Sequence, residues 1–519
     1  MKLSKLSFAV ATVLTASVTT SAFALDLYVD TKTKQIYTEA GAGRQRLGAF
    51  EQVVPHKSAD DFSDKIHQEL EAQKAHVENN LALQHNEIKA LDERTEEFKG
   101  NPKVTMDKNG LQVQSADKNY KFKLGGRIHA EAAFHDSDTD YGKTAGGVFT
   151  PADANDGTDI RRARMRMEGV FGKDWLFRTE ADFAQDKVAM KDVYIQYLGS
   201  KLATITVGQQ KQNFSRELQE SSNDMMFTER SLMNVLNDGT VDRAIGLNAE
   251  HFGSNYVAKL GVFGNALTPP GTSGSVNTDG TTKTGHAAMD EGWGVSSRLT
   301  YAPIMEKTKL IHLGVAGNYR QVDDNGEMAK SKKMAFATKT TNFSDYSPIS
   351  TTVENVNDIA MLGLEGGAIY GPFSVGGEYT HSWIDRKGVN ESLSVDGWYV
   401  DAGYTITGES RTYKNGNFTY LKPNKPFGKG GWGAWEVATR YSEANLEGNM
   451  KEVATNPKPY TGSDISNVTI AVNWYINENV RFMADYMRYL DSSNSAFKTS
   501  TGGNIDDLNV YTLRGQVAF

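Results

Sequence analysis

The chain is 519 residues long, carries a formal net charge of −8, and contains 49 glycines and 22 tyrosines but no cysteine. The acidic balance argues against a nucleic-acid partner, and the missing thiols exclude disulfides, zinc-thiolate centres and cysteine nucleophiles. The apolar residues are spread thinly along a polar, turn-rich sequence, as strict alternation would spread them.

The first residues, MKLSKLSFAVATVLTASVTTSAFA, place Lys2 and Lys5 before a short apolar run and Ala22-Phe23-Ala24 after it. That layout predicts a secretory signal peptide over 1–24. An exported chain without disulfides must be held by core packing or sheet closure. No later stretch approaches the roughly 18 apolar residues of a spanning helix, so a membrane-embedded form has to be a β-barrel.

Residues 25–58 form a short N-terminal module with strand-like alternation and a glycine-marked turn, to which no chemistry is assigned. From 59 to 98 the composition shifts to Glu, Gln, Lys, His and Leu without Gly or Pro, which predicts one long helix. Leu70, Val77, Leu91 and Phe98 share one heptad position, and Leu81 and Ile88 share the other. His67, Lys74, Gln84 and Thr95 interrupt this seam. Two arrangements stay open: a coiled coil between chains in the periplasm, or a single amphipathic helix lying on its own barrel. Residues 99–119 are a linker or a hairpin.

From 120 to 519 the period is two. In YKFKLGGRIHAEAAF, Tyr120, Phe122, Leu124, Ile128 and Phe134 share one face, and Lys121, Lys123, Arg127, His129 and Glu131 the other. Fifteen similar segments follow, predicting a 16-stranded antiparallel transmembrane β-barrel. Every even-numbered connection between them but one is short, as a barrel with both ends on one side of a membrane requires. GKD at 172–174 and NEN at 477–479 are typical tight turns; the exception is the long, basic 407–433. Aromatics such as Phe171, Trp175, Tyr256, Tyr301, Tyr370, Phe373 and Trp474 flank the short turns, where an interfacial girdle belongs. The alternating segment ending at Phe519 is expected to close the barrel and to be the strand recognised by the outer-membrane assembly machinery.

A water-filled path selects ions by charge rather than by a catalytic constellation. In RRARMRMEG, Arg162, Arg164 and Arg166 lie on one face, with Ala163, Met165 and Met167 on the other. An arginine facing lipid at membrane depth costs about 2–4 kcal/mol, so the arginine face should be the inner one. Lys121, Lys123 and Arg127 on the preceding strand and Arg178 on the following one would enlarge this ladder into a basic wall. Glu131, Glu168, Glu180 and Asp182 share those faces, and cross-strand pairing that merely stiffens the barrel is the competing reading.

No histidine or carboxylate cluster has metal-ligand spacing on a strand face, so no metal and no cofactor is expected. The aspartates at 136, 138, 140, 153, 156 and 159 are read as solvated loop acids, with a calcium site as the alternative. A barrel hydrolase would need Ser, His and an acid together near the membrane edge; His381 beside Ser382 is the nearest candidate and lacks an evident partner, so the chain is not read as an enzyme.

Several stretches, namely GGRIHAEAAF, RRARMRMEGVFGKDWLFRTEADFA, MKDVYIQYLG, TVGQQKQNFSRELQESSNDMMFTERS, and TGESRTY followed by GAWEVATRYS, resemble the phosphate-selective porin O/P family. The resemblance implies a trimeric, sixteen-stranded porin of a Gram-negative outer membrane, passing small anions such as phosphate. It also implies that the long connection 209–242 folds into the lumen, making Lys211, Arg216 and Arg230 candidates for the constriction. The alternatives are a general diffusion porin with weak selectivity and a barrel that anchors a periplasmic coiled-coil stalk as a structural tether. Outer-membrane lipid and small anions are the expected partners.

Overall fold

The structure, a computed structural model, describes residues 25–50, 59–107, 110–137, 140–145, 148–151, 155–186, 188–238, 240–266, 292–322, 332–342, 344, 347–387, 392–447, 463–493, 495, 498–504 and 506–519. The signal peptide expected over 1–24 lies outside these residues. The chain divides into two units, 1–98 and 99–519.

In the first unit, Leu25–Asp30 is the central strand of a three-stranded antiparallel sheet, with Ile36–Tyr37 on one side and Arg44–Phe50 on the other. Asp30 accepts the N–H groups of Lys32 and Thr33 at 2.9 Å and so shapes the first turn. Helix α1 then runs Ala59–Gly100, and its described side chains are exposed. Leu70, Val77, Leu81, Ile88 and Leu91 are all about half or more exposed.

The second unit is a closed antiparallel barrel of sixteen strands. In chain order they are β1 Lys121–Asp136, β2 Gly157–Phe171, β3 Trp175–Asp182, β4 Ala189–Tyr197, β5 Thr204–Lys211, β6 Arg243–Phe252, β7 Tyr256–Phe263 and β8 Trp293–Met305. The circuit continues with β9 Lys309–Gln321, β10 Ile349–Tyr370, β11 Phe373–Arg386, β12 Leu393–Thr405, β13 Ala434–Asn445, β14 Asp464–Tyr475, β15 Val480–Ser492 and β16 Asn509–Ala518. Each strand pairs with the next, and β16 returns to β1 from Asn509 opposite Asp136 to Ala518 opposite Arg127. Phe519 adds two backbone hydrogen bonds to Gly126, at 2.7 and 3.0 Å. Glycine is required there, because a Cβ on Gly126 would lie 2.5 Å from the Arg164 carbonyl oxygen and 3.0 Å from the Phe519 ring. Below this seam the free edge of β1 is covered by a hairpin, Lys103–Asp107 with Gly110–Gln114, so the segment before the barrel is a hairpin rather than a linker.

Alternation sorts the side chains as the pattern dictates. Phe122, Ile128, Phe134, Met165 and Met167 face outward and are exposed, whereas Arg127, His129, Glu131 and Arg162 face inward and are buried. The tight turns gather at one end, the periplasmic end of an outer-membrane barrel. There Tyr120, Phe171, Trp175, Tyr256, Tyr301, Tyr370, Phe373 and Tyr404 form an exposed aromatic ring. At the opposite end an extra strand beyond the sixteen, Lys332–Thr338, pairs with the first residues of β10, from Ile349 to Val356.

Candidate functional site

The connection 212–242 between β5 and β6 crosses the lumen and lies against the far wall. Phe214, Leu218, Leu232, Met233, Val235 and Leu236 pack into one apolar core with Ile359, Met361, Ile384, Val395 and Tyr399 of β10–β12 and with residues of β13–β16. Two short helices order it, α2 Arg216–Gln219 and α3 Asn234–Asp238. Ser215 caps α2 by accepting the Leu218 N–H at 3.2 Å, and Lys211 closes its other end by donating to the carbonyls of Leu218, Gln219 and Glu220. The far wall grips the loop backbone at many points: Arg481 donates to the Met225 carbonyl at 2.8 Å, Asn473 to that of Met226 at 2.9 Å, and Asp485 accepts the Thr228 N–H at 2.6 Å. The loop thereby fills that side of the lumen with packed side chains. The open path is left between the loop and strands β1–β6.

That path is a chamber of about 530 Å³. Nine cationic side chains line it (Arg127, Arg161, Arg162, Arg164, Arg178, Lys191, Lys211, Arg230 and Arg243) against four acids, Glu180, Asp192, Asp238 and Asp242. Gln219, Ser221 and Ser222 of the loop complete the wall. A second cavity of about 180 Å³ shares Arg127, Glu180 and Ser221 with the first and is lined at its other end by Asn477–Asn479 of the last periplasmic turn. The two cavities share this stretch of wall. There Arg127 donates to Ser222 at 3.0 Å and to Ser221 at 3.3 Å, bridging the basic wall and the loop.

Much of the ladder is paired. Glu180 takes both Arg127 (3.3 Å) and Arg164 (3.2 Å), and Asp182 takes Arg164 at 2.7 Å. Glu168 is shared by Lys123, Arg166 and Arg178 at 3.5, 3.8 and 3.5 Å, one carboxylate for three cations. Arg162 is different: it is buried, its Nε and Nη1 have no hydrogen-bond partner, and it makes no ion pair among the described residues. Lys121 sits at the periplasmic start of β1, outside both cavities, and Arg166 lines the lower one. Arg230 lines the chamber while donating to the Glu217 carbonyl at 3.2 Å.

Arg216 requires a correction. It lines neither the chamber nor the lower cavity, but is buried on the far side, pairing with Asp401 at 3.0 Å and Glu378 at 3.8 Å and donating to the Tyr399 hydroxyl at 2.6 Å. A Cβ on Gly376 would stand 2.9 Å from its guanidinium, so the far wall is shaped to receive it. A cation so enclosed by acids anchors the loop rather than attracting ions.

Alternation alone missed Arg161, Lys191 and Arg243. The β1–β2 register slips between His129 and Ala130, where Arg162 faces His129 but Ile160 faces Ala130, so Arg161 is an extra residue in a bulge. A second slip, between Thr179 and Ala181, adds a residue opposite Glu180 and brings both Lys191 and Asp192 to the chamber. Each bulge inserts one more charged side chain into the lumen. Arg161 reaches across to Glu229 of the loop at 2.7 Å, and Arg243 pairs with Asp192 at 2.7 Å.

The basic connection after β12 also departs from expectation. It lies at the periplasmic end, but its first half turns up into the barrel as a hairpin, Thr412–Lys414 with Asn417–Thr419. Phe418 is buried against Leu310 and Ile369, Tyr413 meets His312 at 2.8 Å, and Arg298 donates to the Gly416 carbonyl at 2.8 Å. Arg411 is neutralised by Glu436 at 2.8 Å and touches the Asp224 carbonyl of the lumen loop at 3.1 Å.

His381 and Ser382, adjacent on β11, point to opposite faces. Ser382 is buried, and His381 meets Ser394 at 2.8 Å and Tyr379 at 3.2 Å on the outer face. Among the described residues no three His, Asp or Glu side chains are grouped as metal ligands, and the aspartates at 138 and 153 lie outside them.

The family described as phosphate-selective porin O and P matches residues 122–519. Porin O of Pseudomonas aeruginosa is 26% identical over 437 residues, covering 80% of this chain and 92% of that protein. A protein of Caulobacter vibrioides without an assigned role is 25% identical over 392 residues, 73% of this chain and 70% of its own. Among solved structures, the outer membrane channel DcaP of Acinetobacter baumannii is similar at 12% identity with a TM-score of 0.45, covering 77% of this chain and 98% of that one. OmpT of Vibrio cholerae is similar at 10% identity with the same score and coverage.

Proposed function

This chain belongs to the phosphate-selective porin O and P family and forms an outer-membrane porin channel, and on that premise we propose that the channel passes small anions, phosphate or related species, by passive diffusion. The observation that carries the reading is the chamber itself, with nine cations against four acids and, among the described residues, no ion pair for Arg162 within it. An anion entering there exchanges hydration for guanidinium and ammonium donors, while a cation meets the same field with the opposite sign. Arg127, Arg162, Arg164, Arg178, Lys191, Lys211 and Arg230 act as the selecting wall, and Lys121, Lys123 and Arg166 extend the positive field toward the periplasm. The protein acts as a homotrimer, with α1 packing against its copies along the Leu70–Val77–Leu91 seam. The barrel strand ending at Phe519 is the one the assembly machinery engages.

Reversal potentials across a planar bilayer under a salt gradient test the reading: the potential should approach that of the anion, and a potential at the cation's value would overturn it. The shared carboxylates Glu168 and Glu180 favour a second reading, a general diffusion porin in which pairing cancels most of the wall. Under that reading the reversal potential lies near zero.

A further inference from the structure

The second half of the connection after β12, from Lys422 to Gly433, follows Leu421, which lines the lower cavity, and runs along the barrel rim. It is pinned at the barrel rim: Leu421 is buried against Ala434 and Tyr475, the Phe427 N–H donates to the Ile476 carbonyl at 2.9 Å, and the Gly433 N–H donates to that of Lys425 at 3.1 Å. The indole N–H of Trp474 donates to the Trp432 carbonyl at 2.7 Å. This fixed loop holds its two aromatic side chains out, with Trp432 77% and Phe427 46% exposed.

Those rings continue the lipid-facing surface. Trp474 is stacked on Trp435 at 5.1 Å and lies 6.0 Å from Phe482, all three on the outer face of β13–β15. Phe427 stands edge-on to Trp474 at 5.5 Å and 6.2 Å from Trp432, extending the girdle past the strand ends to the depth of the headgroups. Lys425 and Lys429 flank these rings, exposed and in no ion pair among the described residues, whereas Lys422 is occupied by Glu478 at 2.5 Å. Ordered aromatics at an interface, with unpaired lysines beside them, match a ligand that is apolar below and negatively charged above.

We propose that the Lys425–Trp432 loop binds an anionic phospholipid of the periplasmic leaflet, its acyl chains against Phe427, Trp432 and Trp474 and its phosphodiester between Lys425 and Lys429. The loop thus serves two purposes, its first half narrowing the lumen and its second half gripping the bilayer.

Native mass spectrometry of the full-length folded protein, titrated with phosphatidylglycerol or phosphatidylcholine of identical acyl chains, tests this. Wild type should retain phosphatidylglycerol about tenfold over phosphatidylcholine. Lys425→Gln with Lys429→Gln should make the two lipids equal, and Phe427→Ala with Trp432→Ala should lower retention of both. Heat-resistant electrophoretic mobility verifies that each variant is folded, and because the lysines are exposed their replacement leaves the barrel intact. Equal retention of both lipids by wild type, or a preference that survives the lysine replacements, overturns the proposal.

Discussion

Arg161 and Arg162 are neighbours in the chain, yet both project into the lumen, and among the described residues only Arg161 finds an acid there, Glu229 at 2.7 Å. A regular strand would have sent one of them to lipid. The bulge that prevents this sets a fixed cation, Arg161 with its loop partner, beside a free one.

The two should therefore respond differently to neutralisation. A unit charge about 6 Å from an ion's path is worth about 0.7–3 kcal/mol between the dielectrics of water and protein, so Arg162→Gln should lower the anion-over-cation permeability ratio at least about threefold. Loop packing and single-channel noise should stay as in wild type. Arg161→Gln frees Glu229 as well, and it should reduce the ratio further while adding current noise as the loop loosens. Reversal potentials and noise spectra distinguish the two variants.

The anchoring role of Arg216 gives a second expectation. Arg216→Met strands Glu378 and Asp401 in the interior, a change that typically costs about 3–5 kcal/mol. Heat-resistant mobility should be lost at a lower temperature, and conductance should fluctuate between levels. A stable, quiet channel with altered selectivity alone would return Arg216 to the ion path.

Glu220, in the lumen loop, is buried, and burial pushes its carboxyl up to about 7 although Arg216 and Arg411 pull it down. Between its unfolded value near 4.5 and about 7 the native protein holds the proton and the unfolded chain does not. Stability should thus fall as pH rises through that window, by about 3 kcal/mol in all. Glu220→Gln removes that group's contribution, and urea midpoints at pH 5 and pH 8 should then differ less than in wild type. A wild-type-like pH dependence in the variant would count against it.

The lumen hairpin should limit conductance. Deleting residues 412–419 removes Phe418 and Tyr413 from their contacts with Leu310, Ile369 and His312, and single-channel conductance should rise severalfold in a barrel that still migrates as folded. Unchanged conductance would mean that the hairpin only fills space the ions never use.

The native chain lacks cysteine, so a single thiol reports on the helix. Oxidation of Val77→Cys in the full-length protein should link protomers if the heptad seam is a coiled coil, and a control thiol at Glu78 should link far less. Equal yields at both positions would place α1 outside any seam.

The sixteen strands and their inward and outward faces were legible because period-two alternation is dictated by what lipid excludes and water admits, as in Arg162, Arg164 and Arg166 against Met165 and Met167. The bulges were not legible: an inserted residue leaves no local signature, and Arg161 looks in sequence like an outward residue. Nor could alternation tell Arg216 from Arg230. Both sit in one loop amid acids, and only the fold brings Asp401 and Glu378, some 160 to 185 residues away, against the first of them. The length and charge of 407–433 marked it as unusual, but whether a basic turn hangs below the rim or tucks inside depends on the cavity that Phe418 fills, a property of β8–β10.

The seam between β1 and β16 also bears on how the pore comes into being. Its partners, Arg127 to Asp136 and Asn509 to Ala518, are nearly four hundred residues apart, so no lumen is enclosed until the last strand has arrived. An unfinished barrel is an open sheet with no enclosed path for ions, so closure of this seam and creation of the channel are one event.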